Sequence, residues 1–283
     1  MKTVAIQGIK GAYHEIAARE YFRERGENEI EIFPCNKFKD VLLAVKKDPA
    51  LIGIMAIENT IAGSLLQNYE LIRESDLVVV GEQKIRISHC LAVLPSDDLE
   101  TITEVHSHPI ALMQCEEYLN TLSSVKIVEE EDTALSAKQI AESQQKGHAA
   151  ICSKYAAEWY GLNILEKGIE TNKRNFTRFL LLSNRWRAEE LAPDSENNKV
   201  SIVFTLPHTE GSLSKVLSIF SFYDVNLTKI QSLPILGREW EYLFYVDLTF
   251  KNLLRYKQSL EAIRPLTKDL KILGEYKENN VKG

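Results

Sequence analysis

The run "NKRNFTRFLLL" sets Asn175, Thr177 and Arg178 just ahead of the apolar stretch Phe179, Leu180, Leu181 and Leu182. An amide, a hydroxyl and a guanidinium there have two readings. They tidy loose backbone groups where a buried strand begins, or they do chemistry on a ligand. Four other stretches bring small polar residues to points where an apolar strand gives way to a helical period. "AIQGIKGAYHEIAA" carries Gly8 and Gly11, "IENTIAGS" carries Glu58, Asn59, Thr60, Gly63 and Ser64, "VHSHPIALMQC" carries Ser107 and His108 before Pro109, and "EEEDTALSAKQIA" carries Asp132 and Thr133. Glycines let backbone N–H groups approach a ligand, and a helix N-terminus adds partial positive charge suited to an anion. Three of the stretches also have a plain structural reading: a tight βα turn at Gly8 and Gly11, a helix N-cap at Ser107, and a cap, the favoured reading, at Asp132. Together they describe one cleft lined by helix N-termini and hydroxyls, suited to a small polyanion at the carboxyl ends of strands. No P-loop, G-x-G-x-x-G, H-E-x-x-H or G-x-S-x-G pattern occurs, so no cofactor and no metal are expected.

The elements that must position these residues follow from periodicity. "TVAIQG", "IEIFPC" and "LIGIMAI" alternate with the helical periods "EIAAREYFRER", "FKDVLLAVKK" and "LLQNYELIRE", and "ITEVHS", "VKIVEE" and "HAAICS" alternate with "IALMQCEEYLNTL" and "TALSAKQIAES". That rhythm predicts βαβ units and a largely parallel sheet. Two α/β lobes are expected within residues 1–185, with the chain crossing between them near 78–94 and 163–177. Apolar content then collapses in "RWRAEELAPDSENNK", which marks a linker over 186–198. Residues 199–277 read βαββαβ, the ferredoxin-like order, and 278–283 form a tail.

Composition bounds the function. With 283 residues, 45% hydrophobic, and a net charge of -6 without a Lys/Arg-rich block, the chain suits two cored domains and not nucleic acid. No apolar run approaches the roughly 20 residues that span a bilayer. "MKTVAIQGIKG" opens on a strand and glycine turn, not a signal-peptide core, so a cytoplasmic location without membrane contact is expected. Cys35, Cys90, Cys115 and Cys152 are scattered, and read as small buried hydrophobes.

The ordered blocks "GIKGAYHEIAA", "IENTIAGSLLQNYELI", "ISHCLAVLP", "VHSHPIALMQCEEYL", "DTALSAKQIA", "AAICSKYAAEWYGLNIL" and "NFTRFLLL" resemble prephenate dehydratase. The tail, with "EGSLSKVLSIF" and "KIQSLP", resembles the ACT regulatory domain of that family. The resemblance implies two α/β subdomains like a type II periplasmic binding protein, with the active site between them, followed by the ACT domain. It implies the monofunctional form, which removes a carboxylate and a ring hydroxyl from prephenate to give phenylpyruvate, carbon dioxide and water. Aromatisation drives that reaction, and departure of the hydroxyl is the hard part. The family assigns help at the leaving oxygen to Thr177, as a hydrogen-bond donor or relay. It implies substrate positioning by Asn59, Ser107, His108, Gly11 and Asn175, a carboxylate clamp or strand-bracing ion pair at Arg178, a supporting contact or acid at Glu58, and a substrate contact at Phe179 by packing and not by reaction.

Two departures from the family stand out. Its usual G-P-x-G-T-[FY]-S reads "GIKGAYH" here, so Ile9, Ala12 and His14 replace a proline, a hydroxyl contact and a cap. The ACT motifs G-A-L and E-S-R-P read Gly211, Ser212, Leu213 and Gln231, Ser232, Leu233, Pro234. Charged partners for a phenylalanine effector are lost, while backbone groups near Gly211 and Asn226 remain to hold it. A homodimer or homotetramer is expected from the way ACT domains pair. Arogenate dehydratase and a non-catalytic two-lobed sensor are the competing functions.

Overall fold

A computed structural model describes the chain except for residues 123–124, 236, 238–240 and 280–283. Residues 236 and 238–240 of the expected βαββαβ segment and the last four residues of the expected tail lie outside the described residues. The chain divides into two compact units, Met1–Leu65 with Gln83–Phe179, and Leu66–Glu82 with Leu180–Gly283. No helix among the described residues is long and apolar enough to cross a membrane.

The first unit opens with β1 (Lys2–Gln7), α1 (Tyr13–Arg23), β2 (Ile30–Cys35), α2 (Phe38–Lys47), β3 (Ile52–Asn59) and the short β4 (Gly63–Ser64). β1 pairs in parallel with both β2 and β3, as helical crossovers require. α3 (Leu66–Glu74) follows and belongs to the second unit, then β5 (Val78–Arg86), which the boundary between the units cuts after Glu82.

The second lobe of this unit holds β6 (His89–Val93), β7 (Glu104–Ser107), α4 (Pro109–Gln114), α5 (Glu116–Leu119), β8 (Lys126–Glu129), α6 (Thr133–Ser143), β9 (His148–Ser153), α7 (Lys154–Trp159) and β10 (Asn163–Lys167). Its sheet runs β10-β6-β9-β7-β8. Alternation along β6 sends Leu91 and Val93 into one core with Val105, Ala149 and Ile151, and Cys90 and Ala92 into the other with Ala150 and Cys152. Burial on both faces is why these strands read as unbroken apolar runs. β11 (Phe176–Ser183) then joins the first sheet, whose order is β2-β1-β3-β11-β5 with β4 on β3. These two lobes form the type II periplasmic-binding-protein-like architecture that the sequence implied.

Three details differ from the periodicity. The second sheet is mixed, because β6 is antiparallel to β9 and β10. It follows β5 with no helix to return the chain, so it runs against strands that helices deliver. The single helix expected over "IALMQCEEYLNTL" breaks at Cys115 (φ -106, ψ 14). There the Gln114 carbonyl accepts from the Thr171 N–H at 2.8 Å, a bond from outside the helix. The short edge strand β10 gave no separate period.

The second unit contains α8 (Ala188–Leu191), β12 (Lys199–Thr205), α9 (Ser212–Phe222), β13 (Asn226–Pro234), β14 (Tyr242–Thr249), α10 (Leu253–Ile263) and β15 (Lys268–Tyr276). The antiparallel sheet has the order β13-β14-β12-β15, which with two helices is the ferredoxin-like arrangement. Val200, Ile202 and Phe204, two apart on β12, pack with Val216 and Phe220 of α9 and Tyr256 and Leu260 of α10.

Within this unit Lys199 Nζ lies 3.0 Å from both carboxylate oxygens of Glu82, and the two side chains are 3% and 0% exposed. Removing one partner of such a pair strands a buried charge. Lys199→Met is expected to destabilise the protein by about 3–5 kcal/mol in urea unfolding, with Glu82→Leu/Lys199→Met recovering most of the loss. A single variant as stable as the parent would show that the pair does not brace this unit.

Candidate active site

β3 and β11 place Asn59 and Thr177 side by side. Asn59 Oδ1 accepts main-chain N–H groups from Ile61 at 2.9 Å and Ala62 at 2.8 Å in the turn that follows its strand. Those bonds fix which end of the amide is oxygen. Nδ2 therefore faces β11, donating to Asn175 Oδ1 at 2.8 Å and Thr177 Oγ1 at 2.9 Å. Asn175 Nδ2 donates in turn to Gln114 Oε1 at 2.9 Å. His89 Nε2 lies 2.9 Å from that same oxygen, so the ring nitrogen is the donor and Nδ1 is left bare, 3.1 Å from the Tyr13 hydroxyl. All the bonds run one way. Thr177 Oγ1 receives from Asn59, and among the described residues its own proton goes to no acceptor.

A cavity of about 330 Å³ opens onto this network, walled by Thr177, Asn59, Gln114, His108, Asp132 and Phe179 among others. Strand alternation sets Thr177 and Phe179 on its side of β11. Phe179 is 1% exposed and meets the His14 ring edge-on at 5.0 Å. His108 is the N-cap of α4, its Nδ1 accepting the Ile110 N–H at 3.2 Å. The proton of the neutral ring is then on Nε2. Burial lowers the pKa of His108 against the opposing pull of Asp132 and Glu129. Burial likewise lowers that of His89, and it holds the Tyr13 phenol well above its usual range. The wall therefore consists largely of neutral groups with fixed donors. Asp132 caps α6 through Oδ1, as its sequence context suggested, accepting from the Ala134 and Leu135 N–H groups at 2.8 and 3.0 Å. Its pKa is raised by burial, against those two bonds.

Other residues singled out in the sequence lie elsewhere. Gly8 and Gly11 do not offer their N–H groups to the cavity: that of Gly8 donates to Cys35 O at 2.9 Å and that of Gly11 to Glu15 Oε2 at 2.8 Å. Gly11 has φ +96, and a Cβ there would sit 2.9 Å from Ala156 Cα. It is glycine so that the turn can pack on α7 of the other lobe, where Ser153 Oγ donates to Gly11 O at 2.9 Å. Ser107 is fully buried, and its hydroxyl donates to Ile151 O at 2.6 Å. Since His108 is the cap, Ser107 joins two strands instead. Arg178 and Glu58 take the opposite faces of β11 and β3 from Thr177 and Asn59, with Arg178 Nη1 3.9 Å from Glu58 Oε2, and neither lines the cavity. Among the described residues no lysine or arginine lines it either, so a polyanion would meet N–H dipoles there and not side-chain cations.

Gln114, His89, Tyr13 and His14 carry much of the site without having been singled out as site residues. Their signal was a polar side chain inside an otherwise apolar strand or helix face. α1 starts at Ala12 with no side-chain cap, so the lost cap falls at position 12 and not at position 14, where the sequence comparison set it. His14 instead points its ring inward, where Nε2 accepts the Ala56 N–H at 3.2 Å.

Burial lowers the pKa of His14 from 6.5 to about 3. Above pH 6.5 the folded and unfolded chains both carry it neutral. Between 6.5 and about 3 only the unfolded chain takes up the proton, so stability falls with falling pH, by at most about 1.4 kcal/mol per unit from this group. His14→Gln, which keeps an acceptor for Ala56, is expected to flatten the loss of stability between pH 6 and 4 in urea titrations. Parallel curves for the two proteins would mean that His14 is not held neutral.

A model of the family described as prephenate dehydratase matches residues 4–187. The chain is 38% identical over 288 residues to arogenate dehydratase/prephenate dehydratase 2, chloroplastic, of Arabidopsis thaliana, covering 96% of this chain and 72% of that one. Among solved structures, one described as GqqA, a novel type of quorum quenching acylase, matches with a TM-score of 0.87 and 28% identity over 100% of both chains. The prephenate dehydratase of Arthrobacter aurescens in complex with L-Phe matches with a TM-score of 0.84 and 26% identity, over 98% of this chain and 90% of that one. Taken with the two-lobed fold, these matches show that the chain belongs to the prephenate dehydratase family.

Proposed function

We propose that this carbon–oxygen lyase converts prephenate into phenylpyruvate, carbon dioxide and water, with Thr177 as hydrogen-bond donor to the departing ring hydroxyl. The observation that carries this is the direction of the bond at Thr177: Oγ1 accepts from Asn59 Nδ2, which leaves its proton for the cavity. A threonine is too weak an acid to give that proton up outright. A donor fixed in a dry site stabilises the charge that builds on the leaving oxygen, and losing one such donor typically lowers kcat by about 10² to 10³. The His108 Nε2–H and the uncapped N-terminus of α1 are the groups assigned to the substrate carboxylates. Asn59 and Asn175 act by aiming Thr177.

One feature favours the aminated relative, arogenate. Glu131 and Asp132 line the cavity and would attract an ammonium more than a keto oxygen. The acylase described for one structural neighbour finds no support at Thr177, because acyl transfer needs a base on the hydroxyl and Oγ1 here meets an amide donor.

Residues 199–277 are assigned as the ACT domain, after a 1–185 catalytic domain and a 186–198 linker, with L-phenylalanine as effector. Gly211, at φ +73, is the N-cap of α9 with Ser212 and Leu213 next to it, while Asn226, Gln231 and Ser232 lie on β13. β13 is an edge strand, and such an edge is a template for pairing with another copy, which supports a homodimer or homotetramer with the effector at the interface. A cytoplasmic location belongs to the same reading; all four cysteines are free and buried.

Thr177→Val is expected to bind substrate nearly as the parent does while kcat falls about 10² to 10³, with Thr177→Ser keeping most turnover. Phenylpyruvate release from prephenate and phenylalanine release from arogenate, measured side by side, separate the two substrates. Near-parental turnover of Thr177→Val on both would overturn the mechanism, and ligand binding without turnover in the parent would favour a sensor. For regulation, calorimetry should detect L-phenylalanine binding that slows turnover. Absence of both effects would remove the effector assignment.

A further inference from the structure

On the second lobe, away from the cavity wall, β7 and β9 run parallel with Glu104 opposite His148 and His106 opposite Ala150. Glu104 and His106 are two apart on one strand, so they share a face, and His148 joins them from the next strand. His106 Nε2 lies 3.1 Å from His148 Nδ1 and 3.3 Å from Glu104 Oε2. These ligand atoms all lie within 4.8 Å of one another. In tetrahedral coordination at 2.0–2.1 Å, neighbouring ligand atoms sit about 3.3–3.4 Å apart, so the cluster is already near that spacing.

A second observation points the same way. The other nitrogen of His106, Nδ1, lies 3.3 Å from Glu130 Oε1. A carboxylate there holds the proton on Nδ1 and turns the Nε2 lone pair toward His148 and Glu104, the carboxylate–histidine pairing that supports metal-ligating imidazoles. All three ligand side chains are partly buried and reachable from solvent. Glu104 has an oxygen to spare, since Lys126 Nζ engages Oε1 at 3.0 Å and leaves Oε2 facing the histidines.

We propose that Glu104 Oε2, His106 Nε2 and His148 Nδ1 form a binding site for a borderline divalent transition metal of the Zn²⁺ type, with water completing the coordination. Two histidines and one carboxylate suit zinc and cobalt better than calcium or magnesium, which prefer oxygen ligands. The ligands come from positions 42 residues apart in the chain, so no short spacing motif announces the site.

The test uses untagged full-length protein titrated with Zn²⁺ by calorimetry and with Co²⁺ by visible absorption. The expected result is one Co²⁺ per chain with ligand-field bands and no thiolate charge-transfer band, displaced by Zn²⁺. His106→Gln and His148→Gln, on separate strands, should each abolish it, and Glu130→Gln should weaken Zn²⁺ binding about 10- to 100-fold. His148→Gln is expected to keep parental turnover and circular dichroism; if one histidine variant does not fold, the other decides. No stoichiometric binding by the parent, undiminished binding by a folded histidine variant, or a thiolate band would each overturn the site, leaving His106 as a ring held between Glu104 and Glu130.

Discussion

Two main-chain N–H groups on one amide oxygen set the polarity of the whole site. An asparagine side chain has two ends of similar shape and opposite function, and in isolation either could face Thr177. The Ile61 and Ala62 N–H groups claim Oδ1 of Asn59, so only Nδ2 can reach β11. The choice then passes through Asn175 and Gln114 to His89. Reversing any member would bury unsatisfied donors and acceptors at about 1–3 kcal/mol each, and a buried network makes that penalty collective. A turn after β3 thus decides where the proton of a threonine on β11 can go.

The histidine and tyrosine rings of the wall are built to stay neutral. His14, His89 and His108 have lowered pKa values and Tyr13 a raised one, with burial the leading cause for each. Neutral rings with assigned tautomers give fixed donors and acceptors, which charged rings in a drying cleft would not. The glycine turn between β1 and α1 has a different task from the anion cradle it resembles in sequence. The N–H groups of Gly8 and Gly11 are consumed inside the fold, and the lack of a side chain lets the α7 helix of the other lobe approach Gly11. Tyr160 adds a bond to the Lys10 carbonyl at 2.8 Å, so the turn seams the lobes while the neighbouring Tyr13 and His14 face the cavity.

Much of the fold was legible because burial writes itself into composition. Sheets covered on both faces give unbroken apolar runs such as "HCLAV" and "HAAIC", and helices between them give the three-to-four period. Direction was less legible: nothing in "GEQKIRISHCLAV" says that β6 enters its sheet antiparallel, since pairing is a property of neighbours. Among site residues, Asn59, Thr177 and His108 came together as their turns suggested. Ser107, Arg178, Glu58, Gly11 and Asn175 did not line the cavity, because strand alternation and the packing of α7 sent the first four to other faces and Asn175 is buried in the amide network behind the wall.

The sequence by itself determined the family, the two-lobed α/β plan, the βαββαβ order, and the set of polar residues at strand ends, because each is a local pattern or an ordered series of local patterns. Tertiary structure alone decided which of those residues share a wall, which end of each amide faces which neighbour, and that Glu104, His106 and His148 meet. Those outcomes depend on bonds between residues tens to more than a hundred positions apart, and on main-chain groups whose direction no side-chain pattern encodes.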